Sequence, residues 1–320
     1  MSGTRTGTMA RSESRKESGR RLRRRSPVML ETEGWSDYAL LDCGAGRKLE
    51  RYGAYRIVRP EAQALGTPRL PQAEWDRADA QFVGIGDEEA DGRWRYRKPL
   101  GETWPLSYDG MKFLGRFTSF RHVGVFPEQA SHWQWVEARI RAGRGKPKVL
   151  NLFGYTGLAS LLAARAGAEV THIDASRKAI GWARENQTVA GLKALPIRWI
   201  CEDAMKFVER EVRRGNRYEG IILDPPKFGR GPKGEVWDIF ESLPTMMRLC
   251  RQLLSDNPLF LILTAYSIRA SFIAIDELAA EHLDGIGGLL ESGELVLREE
   301  GGGRALSTSL FSRWSPDGEA

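Results

Sequence analysis

The chain has 320 residues, 41% of them hydrophobic, enough for one large domain with an appendage or for two ordinary ones with a sizeable core. No apolar run approaches the roughly 20 residues that would cross a bilayer and no secretory signal is recognisable, so the chain is read as soluble and cytoplasmic, with no membrane partner. Three scattered cysteines, Cys43, Cys201 and Cys250, and four histidines exclude a disulfide framework and a clustered zinc site, and no metal is expected.

The formal charge of +6 is unevenly placed. Met1 to Val28 hold nine Lys or Arg against two acids, leaving a net charge of −1 for the rest. This segment lacks aromatics, is rich in Ser and Arg, and is too poor in apolar residues to fold alone, so 1–28 is read as a disordered basic tail. It would be either a solvated arm able to grip phosphate backbones or sequence ahead of a start at Met29. From Trp35 to about Phe120, short alternating runs rich in Trp, Tyr, Arg and Gly predict strands. Asp109-Gly110 predicts a hairpin, because both turn residues tolerate positive φ. Residues 29–120 are therefore expected to form a small β-rich module, followed by a helix over Pro127 to Ala142.

From Lys148 onward strands and helices alternate. The runs KVLNLF, EVTHID, IRWIC, YEGIILD and LFLILTAY predict strands, each followed by a helical stretch. Repeated βα units imply a mostly parallel sheet with helices on both faces. The end differs: ELVLREE, a Gly301-Gly302-Gly303 turn and ALSTSLFSRW predict two strands with no helix between them. The expected fold is α/β, Rossmann-like over 121–320, with a mostly parallel seven-stranded sheet and an antiparallel C-terminal hairpin.

The chemistry-bearing residues fall at strand ends. Asn151-Leu152-Phe153-Gly154-Tyr155-Thr156-Gly157 carries the first strand into a helix, where an open α/β sheet binds nucleotide-like ligands. It lacks the Gly-x-Gly-x-x-Gly spacing of a pyrophosphate turn, which suits S-adenosyl-L-methionine, a cofactor without pyrophosphate. Asp174, 17 residues after Gly157 and followed by Ala175 and Ser176, is placed to accept from both ribose hydroxyls. Asp203 and Ala204 follow the third strand, where a carboxylate can accept from the adenine amine. The fourth strand ends in Asp224-Pro225-Pro226-Lys227-Phe228. The two prolines hold an extended backbone that donates nothing, leaving Asp224 and the carbonyls as acceptors where the methyl must move.

Together NLFGYTG, HIDAS, CEDAM and DPPKFGRG resemble class I methyltransferases related to the bacterial 23S ribosomal-RNA large-subunit enzymes of the cytosine-5 and guanine-7 types. The resemblance covers about Phe120 to Ser267. It reaches back to RHVGVFPEQ, similar to the family's Gly-x-Phe/Tyr-x-Asp-x-Arg segment, which implies cofactor contacts from Phe126 and Glu128. Ala130-Ser131 stand where that pattern has arginine. Cytosine-5 methylation needs a thiolate to add to the ring, and the related enzymes carry that cysteine after the fifth strand. Here the segment reads Thr264-Ala265-Tyr266-Ser267, so a nitrogen acceptor is expected instead. Nitrogen transfer asks mainly for alignment and a place for the proton: Asp224 would orient the acceptor, Phe228 would stack on a base, and Lys227 or Arg230 would meet phosphate. The expected partner is RNA, ribosomal RNA in particular. A small-molecule or protein side-chain acceptor, and a non-catalytic RNA-binding scaffold, are the alternatives.

Overall fold

The alternating runs of the first third fold as sheet in the computed structural model, which describes residues 21–84, 92–266 and 268–316. After β1 (Arg23–Glu31) come five strands of one sheet, β2 (Tyr38–Gly44), β3 (Arg47–Tyr52), β4 (Tyr55–Pro60), β5 (Ala80–Gly84) and β6 (Gly92–Tyr96). A short helix α1 (Gln72–Asp76) lies between β4 and β5. A separate hairpin, β7 (Thr103–Tyr108) and β8 (Met111–Arg116), turns on Asp109 at φ +45° and Gly110 at φ +74°. Those two positive values suit the twist of a two-residue hairpin turn. One 3-10 turn, Pro127–Gln129, then leads into α2 (Ala130–Ala142).

The second half alternates as its sequence period predicts. In order it forms β9 (Lys148–Leu152), α3 (Leu158–Arg165), β10 (Glu169–Asp174), α4 (Arg177–Val189), β11 (Ile197–Cys201), α5 (Ala204–Arg213) and β12 (Gly220–Leu223). A small hairpin, β13 (Phe228–Arg230) and β14 (Val236–Asp238), precedes α6 (Ile239–Leu253), β15 (Phe260–Tyr266), α7 (Phe272–Leu283), β16 (Leu289–Arg298) and β17 (Ala305–Ser315). The main sheet runs β1-β16-β17-β15-β12-β9-β10-β11. Its five βα strands are mutually parallel, and β17 is antiparallel to both β15 and β16.

One expectation is corrected. Residues 23–28, read as part of a disordered tail, form the first half of β1, which pairs in parallel with β16 and adds an eighth strand. The reason is long-range. Arg24 is hydrogen-bonded to Asp276 and Glu277 of α7, Arg25 pairs with Glu291 of β16 at 3.2 Å, and Leu22 packs on the apolar cluster beneath α6 and α7. Composition suggests a solvated tail because its counter-charges lie some 250 residues away in sequence. Residues 1–20 of the expected tail lie outside the described residues.

Three of the four apolar clusters among the described residues hold the layers; the fourth, Leu49, Val58 and Trp75, seats α1 on the N-terminal sheet. One fills the space between the main sheet and α5, α6 and α7, and another lies under α2 and α3 on the opposite face. The third joins the N-terminal strands to the rest: Trp35, Tyr52, Trp104, Leu106 and Phe113 pack with Trp133 of α2, with Leu158, Leu161 and Leu162 of α3, and with Leu297 and Leu306.

Candidate active site

A cleft of about 1280 Å3 opens at the carboxyl ends of β9, β10, β11 and β12, between the main sheet and the N-terminal module. It exceeds the roughly 300–1,000 Å3 of a pocket for one small ligand, leaving room for a second reactant. The candidate cofactor and acceptor residues named from the sequence line it, except Leu152, which is in the core, and Gly157. Gly157 sits behind the loop as the N-cap of α3, at φ +85°, and a Cβ there would come within 2.9 Å of Ala183 and the Trp199 ring. Its small size serves helix packing rather than ligand contact.

The loop after β9 is shaped for close approach. Phe153 and Tyr155 both adopt positive φ, and between them a Cβ on Gly154 would meet the His172 ring at 2.4 Å. Asn151 is buried, and its amide donates to Ser160 Oγ at 2.8 Å; Ser160 in turn meets His172 Nδ1 at 2.9 Å. Asn151 therefore braces the loop from below. Thr156 Oγ1 donates to the Gly124 carbonyl at 2.6 Å, tying the loop to the segment that carries Phe126. Each Asp174 oxygen accepts one backbone N–H, from Tyr155 at 2.9 Å and from Ser176 at 2.8 Å. Each oxygen has a further lone pair for a diol. Burial raises the Asp174 carboxyl, and those two N–H groups oppose the rise. Asp203 caps α5 through Lys206 N–H at 2.9 Å, so it is a helix cap as well as a cleft residue. A strand-end turn with Phe153 and Tyr155 at positive φ, a carboxylate with spare acceptors and a second carboxylate one strand further fit a nucleoside cofactor.

The opposite end of the cleft is built from carboxyl groups. Gln129 Nε2 donates to Asp224 Oδ2 at 2.9 Å. Burial, and then the neighbouring Glu128 carboxyl, push Asp224 up to about 7. Burial likewise raises Glu128, against the pull of Lys48. Pro225 and Pro226 donate no hydrogen bond, and the loop is secured through its carbonyls: Trp237 Nε1 donates to Pro226 O at 2.7 Å and Ile239 N to Lys227 O at 3.0 Å. Lys227, Arg230 and Phe228, the last 56% exposed, stand at the mouth.

Sequence reading missed the wall supplied by the N-terminal module. Glu61, just beyond β4, lines the cleft together with Arg121, His122 and Tyr266. Behind it Lys48 lies 3.1 Å from Glu61, and Arg59 forms two hydrogen bonds to Glu50, at 2.7 and 2.8 Å. All four charged residues are buried. Burial would raise Glu50, but Arg59 and Lys48 hold its carboxyl down at about 2, so Glu50 stays ionised. The Phe126 ring stands between Tyr155 and Tyr266, with centroids 5.8 and 5.4 Å away. Gln129 was also missed, although it lies in the GVFPEQ segment beside Phe126 and Glu128; Glu61 and Lys48 have no local signal, since only the fold brings them to the cleft.

No thiol lines this cleft. Cys43 lies buried against Glu299, Cys201 contacts the Ala175 carbonyl at 3.5 Å, and Cys250 is enclosed in α6. Burial pushes Cys250 up to about 12, and burial with Glu299 pushes Cys43 up to about 11. Ser267, at the position considered for a nucleophile, lies outside the described residues.

A family model described as S-adenosylmethionine-dependent methyltransferase matches residues 86–282. The crystal structure of the SAM-dependent methyltransferase from Agrobacterium tumefaciens is 59% identical, covers 94% of this chain and 97% of that one, and superposes with a TM-score of 0.90. The SMU.776 protein, solved in complex with SAH, is 16% identical with a TM-score of 0.66 over 88% of this chain and 76% of its own, a likeness of fold alone. Among curated relatives, the ribosomal RNA large subunit methyltransferase K/L of Pseudoalteromonas atlantica is 28% identical over 239 residues, which is 68% of this chain and 33% of that protein. The ribosomal RNA large subunit methyltransferase I of Aeromonas salmonicida is 30% identical over 49% of this chain and 38% of its own length. The chain thus spans well under half the length of these curated relatives.

Proposed function

Since the chain belongs to the S-adenosylmethionine-dependent methyltransferase family, we propose that it methylates a nitrogen of an RNA base, in ribosomal RNA in particular. Its cofactor is S-adenosylmethionine. Bound in the cleft, that cofactor would supply an activated methyl group, carried on a positively charged sulfur, for the acceptor nitrogen.

The chain's own residues then have three tasks. The Asn151–Gly157 loop with Asp174 and Asp203 holds the nucleoside end, as their placement in the cleft permits. Asp224 accepts a hydrogen bond from the acceptor's N–H and orients its lone pair; with its pKa near 7 it is also suited to receive the proton that an exocyclic amine releases. Phe228 offers an exposed ring for a base to stack on, with Lys227 and Arg230 beside it for phosphate.

The absence of a thiol from the cleft is the single observation that carries nitrogen over cytosine C5, since ring-carbon methylation needs covalent activation by a thiolate and the chain's three cysteines all lie elsewhere. RNA as acceptor is supported by what the curated relatives are called and by the exposed aromatic and cations at the cleft mouth. The test incubates the full chain with methyl-labelled cofactor and ribosomal RNA, then digests the RNA to nucleosides for mass spectrometry. An N-methylated nucleoside is expected. Label in 5-methylcytidine would overturn the nitrogen assignment, and label only in protein or small molecules would overturn RNA.

A further inference from the structure

The outer face of the N-terminal sheet carries charge that the cleft does not use. Successive side chains of a strand point to opposite faces, so the Arg93-Trp94-Arg95-Tyr96-Arg97 run on and just beyond β6 sorts its own side chains. Trp94 turns inward, edge-on to Phe117 at 4.8 Å between centroids, while Tyr96, 5.2 Å from Phe117, stays 47% exposed and borders the outer recess. Arg93, Arg95 and Arg97 are left exposed on the other face. The register carries that side across the sheet and under α1: Arg95 opposes Gln81, Gln81 pairs with Val58, and Val58 opposes Leu49, two residues from Arg47, with Val58 and Leu49 buried against Trp75. The Arg47 guanidinium lies over the Trp75 ring, 5.0 Å from its centroid. Arg47, Arg95, Arg97, Gln72, Gln81 and Trp75 share a recess of about 250 Å3, below the usual range for a small-molecule pocket.

The described acids on this face are already committed. Glu74 pairs with Arg56 and Arg77 at 2.9 and 2.5 Å and Asp79 with Arg97 at 3.5 Å, whereas Asp76, which also lines the recess, accepts from the neutral Gln72 amide at 2.7 Å. Among the described residues Arg47, Arg93 and Arg95 have no carboxylate partner. Uncompensated guanidinium groups on one surface raise a local positive potential that favours an anionic partner, and their planar forks match phosphate oxygens.

We infer that this face binds the phosphate backbone of the RNA whose base enters the cleft, an inference that rests on RNA being the acceptor. The same strands serve both surfaces: Gly46, Pro60 and Phe82 line the cleft, while Arg47, Val58 and Gln81 line the recess. A polynucleotide reaching from one to the other has only to pass the end of β3, where Gly46 and Arg47 are adjacent. Contacts of this kind fix register on the nucleic acid without reading its sequence.

The test is fluorescence anisotropy of a short fluorescein-labelled single-stranded RNA of mixed sequence, titrated with the full chain across a salt series. In the double variant Arg93→Gln/Arg95→Gln, binding should weaken about tenfold, and the slope of log affinity against log salt should become shallower by about 1.4, the loss of two single-strand phosphate contacts. Affinity for S-adenosylhomocysteine should not change, because both residues are exposed and neither lines the cleft. Arg213→Gln/Arg248→Gln, which removes two exposed arginines from α5 and α6, should bind RNA like the wild type. Equal slopes for wild type and Arg93→Gln/Arg95→Gln would overturn the inference while leaving RNA as the acceptor. Equal loss in the α5/α6 variant would overturn it too, by reducing the effect to net charge. Failure of the wild-type chain to bind RNA at all would overturn the acceptor assignment, and this face with it.

Discussion

Asp224 accepts a hydrogen bond from Gln129 beside a second buried carboxyl, and its pKa near 7 makes pH the sharpest probe of its role. Methyl transfer should rise with pH through about 7 and then level, since the protonated carboxyl cannot accept from the nucleophile. The stability effect runs the other way. A folded-state pKa near 7 against about 3.9 for a free aspartate means the fold keeps a proton the unfolded chain has lost, so this group's stabilisation is present at low pH and declines as pH rises from about 4 to 7. Asp224→Asn should therefore abolish transfer, flatten the pH profile of stability and make the protein more stable at pH 8, by up to about 4 kcal/mol. Normal turnover in this variant would remove Asp224 from the acceptor site. Asp174 makes a separate prediction, because its two backbone N–H bonds leave acceptors free for the ribose. Asp174→Ala should weaken S-adenosylhomocysteine binding at least tenfold by calorimetry, beyond the roughly 1 kcal/mol of a lost cap. Unchanged affinity in a folded variant would place the ribose elsewhere. Both aspartates were legible because a period of strand, turn and helix locates strand ends, and an acid at three successive ends is more than a run of caps. Glu61, Lys48 and Arg59 were not, since each reads as an ordinary charge in an alternating strand until folding encloses it.

At the scale of an element, β1 shows what composition misjudges. Arg-rich sequence reads as solvated, yet Arg24 meets the buried Asp276, and the strand continues the sheet beyond β16. Arg24 is itself partly exposed, so the pair is worth less than a fully enclosed one: Arg24→Ala should cost about 1–2 kcal/mol in urea unfolding, mostly by leaving Asp276 without its counter-charge. A 29–320 fragment, which removes Leu22, Arg24 and Arg25 together, should melt several degrees lower. A fragment as stable as the full chain would show the first half of β1 to be an ornament on the sheet edge. The hairpin β13–β14 was missed for a different reason. Three-residue strands carry too little periodicity to separate from the helical pattern that follows, and Val236–Asp238 merges in sequence with α6. Its function in the fold is visible only in space, where Trp237 donates to the Pro226 carbonyl and packs at a tilt near Phe153, 4.8 Å between centroids, joining the Asp224–Phe228 loop to the Asn151–Gly157 loop.

For the whole molecule the question is whether the β-rich module is an appendage or half of the enzyme. The sequence suggests a boundary near residue 120, where the period changes from alternating strands to βα units. Packing crosses that boundary freely. Trp133, Leu158, Leu161, Leu162, Leu297 and Leu306 are buried against module residues, and the hairpin is further tied down by Leu114 N–H to Asn186 Oδ1 at 3.0 Å and by Arg165 to Asp109 Oδ2 at 2.6 Å. Uncovering six such apolar side chains costs about 10 kcal/mol, comparable with the entire 5–15 kcal/mol of a typical fold. A 121–320 fragment should therefore bind hydrophobic dyes, unfold without cooperativity and fail to bind S-adenosylhomocysteine, even though it retains Asn151–Gly157, Asp174 and Asp203. A folded fragment that binds the ligand normally would make the module a detachable appendage, and the buried Lys48–Glu61 and Arg59–Glu50 pairs would then need another purpose. The fragment experiment thus bears on mechanism as well as stability, because the same strands that complete the core present Glu61 to the cleft and the arginine face to the outside.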